Sequence, residues 1–138
     1  MPDKAIPYLM WRLLRALAFA ITNGDLMPVI DKTTFDELKQ MSGEDFINEL
    51  IDTFLEDAPE MIAEIKSGLA ANNADTFRRA AHSMKSNAAT FGASQLAALA
   101  KELEMLGKEN KLHEIGDRLN ALDEAYESVR SELKGLKS

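Results

Sequence analysis

The chain has no cysteine among its 138 residues. The absence of thiols excludes disulfides, thiolate catalysis and thiolate metal ligands. The glycine-rich motifs GxxxxGK(S/T) and GxGxxG and the zinc motif HExxH are also absent, so the sequence predicts no ATP site and no catalytic zinc. The two histidines, His82 and His113, lie on different predicted helices. We therefore expect no metal site and no bound cofactor on this chain.

Basic residues are outnumbered by acidic ones, and the net charge is −7 at pH 7. This charge argues against nucleic acid as the main partner, because phosphate binding requires a broadly basic surface. Seven glycines and four prolines leave little room for low-complexity linkers, and 138 residues fit one domain. We expect a cytoplasmic protein with no membrane insertion, a location with which the lack of cysteine is compatible.

Residues 1–30 contain a strongly apolar segment at positions 6–21. The segment is too short for a membrane span and carries Arg12 and Arg15. A signal peptide is the less favoured interpretation, because these arginines interrupt its apolar core. We expect a helix that covers the domain or pairs with a copy of itself, which would make a homo-oligomer. The predicted division is an N-terminal helix and connection at 1–30, followed by one helical domain at 31–138.

From residue 31 onward the chain has the start signals of successive helices. The expected signals are the capping boxes Thr34/Glu37 and Ser42/Asp45, and the caps Asn73 and Ser94. We expect Ala58-Pro59 to interrupt or kink the second of these helices, because proline removes a backbone donor. The apolar stripe of that helix is predicted at Phe46, Leu50, Ile51, Phe54 and Leu55. The last helix is predicted from the apolar spacing across 112–136.

No segment alternates between apolar and polar residues for long enough to predict a strand. Short loops between four long amphipathic helices favour antiparallel neighbours. The sequence thus predicts an all-α fold, an antiparallel up-down four-helix bundle with additional short N-terminal helices. The heptad spacing of the last helix is also compatible with a dimeric coiled coil, but three other amphipathic helices need a partner, which favours the bundle.

The helix that ends before Gly92 carries one face for the core and one for solvent. Its apolar side holds Phe77, Ala80, Met84, Ala88 and Phe91. The opposite side, within about 60° of His82 on a helical wheel, holds Arg78, Arg79, Lys85, Ser86 and Ala89. We expect Glu102 and Glu104 to lie on a solvated helix face, and no carboxylate to orient the imidazole of His82.

An exposed histidine among cations suits chemistry at phosphorus. A neutral imidazole nitrogen is a good nucleophile, and nearby positive charge stabilises phosphoryl oxygens. Lys85 lies one turn from His82 and can reach such oxygens, whereas Ser86 is small and leaves room for a second protein. A solvated histidine on a moderately basic face, without any function, is the alternative interpretation.

The segment around His82 resembles the signature of histidine-containing phosphotransfer (HPt) domains. That signature is a histidine, two further residues, a lysine and a small residue, with a glycine ending the helix. Here it reads Ala81-His82-Ser83-Met84-Lys85-Ser86, with Gly92 after it. The resemblance extends over about residues 31–133. The usual residue after the lysine is glycine, and Ser86 is still small.

The resemblance implies a phosphorelay intermediate in two-component signal transduction. On it, His82 carries the phosphoryl group as phosphohistidine, Lys85 stabilises that group, and the docking surface includes Ser86. The implied partners are the receiver domains of a hybrid sensor histidine kinase and of a response regulator, with Mg²⁺ in the receiver. The expected docking residues for the receiver's acidic pocket are Arg78, Arg79, Ser86 and Ala89.

Two other functions stay open at this point. One is a non-catalytic helical module for interaction or dimerisation, which would carry no acid-labile phosphate. The other is the phosphoacceptor hairpin of a sensor kinase, which is disfavoured because no proline follows His82 at the usual place and no ATP-binding domain follows. We therefore expect a phosphotransfer protein without ATP-dependent kinase activity of its own.

Overall fold

The structure is a computed structural model that describes residues 29–137. Within this range the chain forms five α-helices and one 3₁₀ turn, and it contains no strand. The elements are α1 (Lys32–Ser42), α2 (Glu44–Ala70), α3 (Ala74–Thr90), α4 (Ser94–Lys108), the 3₁₀ turn (Leu112–Glu114) and α5 (Arg118–Leu136). The prediction of an all-α fold is confirmed.

Helices α2 to α5 form an antiparallel four-helix bundle, as predicted. Each long helix packs against the next one in the chain, and α5 also contacts α2. The short helix α1 packs against α2 and α3. One continuous core fills the bundle, and it includes Ile51, Ile65, Met84, Leu103 and Leu122, all fully buried. Removing this apolar surface from water is the main term that holds the helices together.

The predicted caps of α1 and α2 are wrong in their positions. Asp31 caps α1, since its carboxylate accepts from the backbone N–H of Thr34 at 3.3 Å. Ser42 is the last residue of α1, and its hydroxyl donates to the carbonyl of Leu38 at 2.6 Å. Gly43, with a φ of +87°, separates the two helices. Ser42 thus closes one helix with the hydroxyl that was expected to open the next.

Helix α2 continues through Pro59, so the predicted interruption is wrong, whereas a kink at this position stays a prediction. Its core side is also shifted by one residue at the start, because Ile47 is buried whereas Phe46 is 50% exposed. The predicted members Ile51 and Phe54 do lie in the core. Burial of this long apolar face compensates for the hydrogen bond that proline cannot make.

The starts of α4 and α5 also differ from the prediction. Ser94 is the first residue of α4 and makes no capping hydrogen bond. Leu112 and Ile115 are buried, as the apolar spacing suggested, but they precede α5, which begins at Arg118. Apolar spacing predicts which side chains enter the core, and it does not require them to share one helix.

Helix α3 matches the prediction at both ends and on its core side. The side-chain oxygen of Asn73 accepts from the N–H of Thr76 at 3.1 Å and so caps the helix. Gly92 follows the helix with a φ of +78°, which favours glycine. A Cβ at position 92 would lie 2.9 Å from Cβ of Thr34, so the close approach of α1 also requires glycine. The core side is buried throughout at Phe77, Ala80, Met84, Ala88 and Phe91.

Two glycines let α2 and α4 approach the start of α3. A Cβ on Gly68 would lie 2.8 Å from the backbone nitrogen of Phe77, and a Cβ on Gly107 would lie 3.1 Å from Cβ of Arg78. Phe77 itself is fully buried between them. This close packing fixes where α3 stands between its neighbours, and with it the position of His82 one turn further along.

The predictions for the apolar segment at 6–21, including self-association, concern residues outside the described range. Among residues 29–137, no helix is both long enough and apolar enough to cross a membrane.

Candidate functional site

His82 lies at the middle of α3, on the side that faces away from the core. Its side chain is 56% exposed. Arg79, Ser86 and Ala89 are exposed on the same side, and Arg78 is half-buried. The structure therefore brings the docking residues expected from the sequence onto one surface around His82.

Glu104 of α4 contacts both His82 and Lys85. Its Oε2 lies 2.5 Å from Nδ1 of His82, and its Oε1 lies 2.6 Å from Nζ of Lys85. The side chain of Glu104 is only 15% exposed. The prediction that no carboxylate orients His82 is therefore wrong, as is the placement of Glu104 on a solvated face. One carboxylate joins the two residues of the motif.

The charge state of Glu104 follows from these contacts. Burial is the largest single influence and raises the pKa of Glu104, but the hydrogen bonds and charges of Lys85 and His82 together outweigh it. The pKa consequently lies below its usual value. Glu104 is therefore an anion at neutral pH and can only accept hydrogen bonds.

The contact with Glu104 selects one tautomer of the neutral imidazole. Because the carboxylate accepts, Nδ1 of His82 carries the proton and donates it to Glu104. The lone pair of the neutral ring then resides on Nε2. An imidazole oriented in this way presents Nε2 as a nucleophile and holds the ring through its other nitrogen.

The cations around His82 are paired, which makes this face less positive than the sequence suggested. Asp75 lies 2.8 Å from Nη2 of Arg78 and 2.8 Å from Nη2 of Arg79. The hydrogen bond from Arg78 is the largest cause of the lowered pKa of Asp75, and the charge of Arg79 adds to it. With Lys85 bound to Glu104, three cations face two carboxylates, and one net positive charge remains.

The second histidine, His113, lies in the 3₁₀ turn and takes no part in this arrangement. Its Nε2 is 3.6 Å from the carboxylate of Glu114, and its side chain is exposed. Within the part of the chain that the structure describes, no group of three or more histidine, aspartate or glutamate side chains could hold a metal ion.

The role of Glu104 was missed because it depends on contact between two helices. A helical wheel of α3 cannot show which residue of α4 approaches it. A signal is nevertheless present in the sequence: Glu104 lies four residues after Ala100 and three before Gly107, both buried. These small residues let α4 approach α3 closely, so a carboxylate beside them lies at the helix contact.

Comparison with known proteins agrees with the fold and identifies the family. The family model described as the Hpt domain matches residues 49–132. The phosphorelay protein LuxU of Vibrio cholerae serotype O1 is 29% identical over 86 residues, covering 62% of this chain and 76% of LuxU. The crystal structure of histidine-containing phosphotransfer protein B (HptB) from Pseudomonas aeruginosa PAO1 is similar at a TM-score of 0.75 and 28% identity. That similarity covers 80% of this chain and 95% of HptB. The chain belongs to the Hpt domain family and is a histidine-phosphotransfer intermediate of phosphorelays.

Proposed function

We propose that His82 is the phosphoacceptor and that it exchanges its phosphoryl group with the aspartate of a receiver domain. The contact between Nδ1 of His82 and Glu104 is the observation that supports this most strongly. It fixes the ring in the tautomer that places the lone pair on Nε2, on an exposed side chain. His113 has no comparable support from a second helix.

The transfer step uses this lone pair. Nε2 of His82 attacks the phosphorus of the receiver's aspartyl phosphate, a P–N bond forms, and the P–O bond to the aspartate breaks. The bonding electrons leave with the aspartate, which becomes a free carboxylate. The ring, now substituted at Nε2 and still protonated at Nδ1, acquires a positive charge beside the anionic Glu104. The reverse step returns the phosphoryl group to a second receiver.

Glu104 therefore stabilises the phosphorylated ring more than the free one, because the contact becomes an ionic pair when the ring is cationic. Lys85 has three N–H donors, and one of them serves Glu104 at 2.6 Å. The others remain for phosphoryl oxygens, which supports the stabilising role proposed for Lys85. The same lysine lowers the pKa of Glu104 and so maintains its charge.

The proposed partners are the receiver domains of a hybrid sensor histidine kinase and of a response regulator. A receiver would dock over Ser86 and Ala89, which are exposed and small, with Arg78 and Arg79 at the edge. Both arginines can exchange Asp75 for acidic groups of the partner. The magnesium ion that this chemistry uses would be held by the receiver. The proposal puts the exchange in the cytoplasm, a compartment with which the lack of cysteine is compatible.

The test is incubation with a phosphorylated receiver domain, followed by measurement of the label on this chain. We expect the parent and His113→Gln to be labelled equally, with phosphate that is stable in base and labile in acid. His82→Gln should take up no label while its circular dichroism spectrum is unchanged, since an exposed side chain contributes little to the core. Labelling of His82→Gln at the parent's rate would refute the assignment.

A further inference from the structure

Asp75 pairs with both arginines of the surface around His82. Its Oδ1 accepts a hydrogen bond from Nη2 of Arg78 at 2.8 Å, and its Oδ2 lies 2.8 Å from Nη2 of Arg79. Residues three and four positions apart are neighbours on a helix, so Asp75 lies one turn before the arginines and His82 lies one turn after them. The pairing therefore draws both guanidinium groups toward the start of α3 and away from His82.

The two ion pairs differ in how firmly each arginine is held. The side chain of Arg78 is 38% exposed and packs against α4, where a Cβ on Gly107 would lie 3.1 Å from its own Cβ. The side chain of Arg79 is 73% exposed. The hydrogen bond from Arg78 is the largest cause of the lowered pKa of Asp75, whereas Arg79 acts on that pKa through its charge. Arg79 is therefore the arginine that leaves Asp75 more easily.

Release of Arg79 leaves no carboxylate unpaired. Arg78 keeps its hydrogen bond to Asp75, because that bond uses the other carboxylate oxygen. Exposed ion pairs contribute little to stability, since water and salt screen them, so the fold does not depend on the second pair. The cluster holds two cations and one anion, and Arg79 is the cation in excess.

The receiver domain of the proposed function has the chemistry to bind the released arginine. It presents the aspartate that exchanges the phosphoryl group, and its magnesium ion requires further oxygen ligands such as carboxylates. These acidic groups compete with Asp75 for Arg79. Docking then breaks one ion pair of this chain, so the complex is weaker than it would be with a free Arg79. A weak complex suits an intermediate that must release one receiver before it binds the next.

We infer that Asp75 lowers the affinity of this chain for receiver domains by competing with their carboxylates for Arg79. Arg79 leaves Asp75 when a receiver docks over His82, and it returns when the receiver dissociates. Asp75 contacts neither the imidazole nor the phosphoryl group, so it acts on docking and not on the chemical step. This inference rests on the proposed function and adds to it a residue that sets the strength of docking.

The test measures single-turnover phosphoryl transfer from a phosphorylated receiver domain over a range of receiver concentrations. In about 0.1 M salt, Asp75→Asn should lower the half-saturating concentration by about 2- to 5-fold, the size expected for one exposed ion pair. The rate at saturation should stay at the parent's value, because the groups around the phosphoryl group are unchanged. Asp75→Ser, which also removes the carboxylate, should behave in the same way.

Two comparisons separate the role of Arg79 from a general effect of charge. Asp123→Asn removes the same charge from an exposed pair with Lys66, on α5, which packs against α2 and α4. It should leave the half-saturating concentration unchanged, because charges more than about 10 Å apart are largely screened in 0.1 M salt. Arg79→Gln removes the cation for which Asp75 competes. In that background the effect of Asp75→Asn should largely disappear.

Three results would overturn the inference. The first is an unchanged half-saturating concentration in Asp75→Asn and Asp75→Ser, with circular dichroism spectra that match the parent's. The second is an equal decrease in Asp123→Asn, which would show that net charge alone is responsible. The third is an equal decrease in the Arg79→Gln background, which would show that Asp75 acts without Arg79. Failure of the proposed function is recognised separately, because no phosphorylated receiver would then label the parent at His82, and the inference would fail with it.

Discussion

Substitution of Glu104 by glutamine tests the most informative contact of the site. Glutamine has the shape of glutamate but no charge, and its amide offers one acceptor and one donor group. The two donors that face this side chain, Nδ1 of His82 and Nζ of Lys85, lie at 2.5 Å and 2.6 Å from separate carboxylate oxygens. The variant can therefore accept from only one of them, and its NH₂ group faces the other.

The size of the effect follows from the charge that develops on the ring. A hydrogen bond to a charged group contributes about 1.5–3 kcal/mol, against about 1 kcal/mol for a neutral one. Solvent screens the contact in part, because Glu104 is only 15% exposed whereas His82 is 56% exposed, so the lower part of this range applies. Loss of about 1–2 kcal/mol at the transition state would slow phosphorylation of His82 by about 5- to 30-fold.

The assay is the rate of phosphorylation by phosphoramidate, a small donor that needs no docking surface, followed in single-turnover samples by a phosphate-affinity gel. Glu102→Gln is the matched control: it lies on the same helix, is 60% exposed and lies 3.6 Å from Arg118, away from His82. It should react at the parent's rate. A Glu104→Gln rate within twofold of the parent's, in a folded variant, would refute the claim that Glu104 stabilises the phosphorylated ring.

Three further predictions concern docking, packing and acid stability. Ser86→Gln should slow transfer from a phosphorylated receiver far more than labelling by phosphoramidate, while Ser86→Gly should change neither rate; equal slowing with both donors would place Ser86 at the phosphoryl group. Gly107→Ala should lower the free energy of unfolding, measured in urea, by about 1–3 kcal/mol, because the new Cβ would lie 3.0 Å from the ring of Phe77. Gly135→Ala is the control: its Cβ would meet no neighbouring atom within 4 Å, so it should raise the free energy of unfolding by about 0.5–1 kcal/mol. The fold holds the pKa of Glu104 below its usual value of 4.5, so the charged carboxylate stabilises the fold fully above pH 4.5 and this contribution is lost as the pH decreases through the folded-state pKa. The free energies of unfolding of the parent and Glu104→Gln, measured in urea, should therefore converge below pH 4.5. A difference between the two that stays constant with pH would contradict this.

Local signals in the sequence predicted α3 well. Asn73 can cap a helix with its own side chain, and Gly92 can adopt a positive φ, so both ends depend on residues beside them. The core side of α3 follows from its spacing alone. The exposed position of His82 could therefore be predicted without knowledge of the rest of the fold.

The errors occurred where tertiary packing decides between local alternatives. Ser42 and Pro59 each carry a strong local signal, yet Ser42 ends α1 and Pro59 lies inside α2. The small residues Ala100 and Gly107 mark the side of α4 on which Glu104 lies, but they do not show which residue of α3 it contacts. Contacts between residues 22 positions apart cannot be derived from the periodicity of one helix.

Identification of the phosphorylated nitrogen by NMR tests the roles proposed for His82 and Glu104 together. Two-bond and three-bond correlations between ring protons and nitrogens distinguish substitution at Nε2 from substitution at Nδ1 in the phosphorylated, isotope-labelled chain. Because Nδ1 of His82 donates to Glu104, we expect one phosphohistidine, at His82, substituted at Nε2. Substitution at Nδ1, or phosphate on His113, would contradict this expectation.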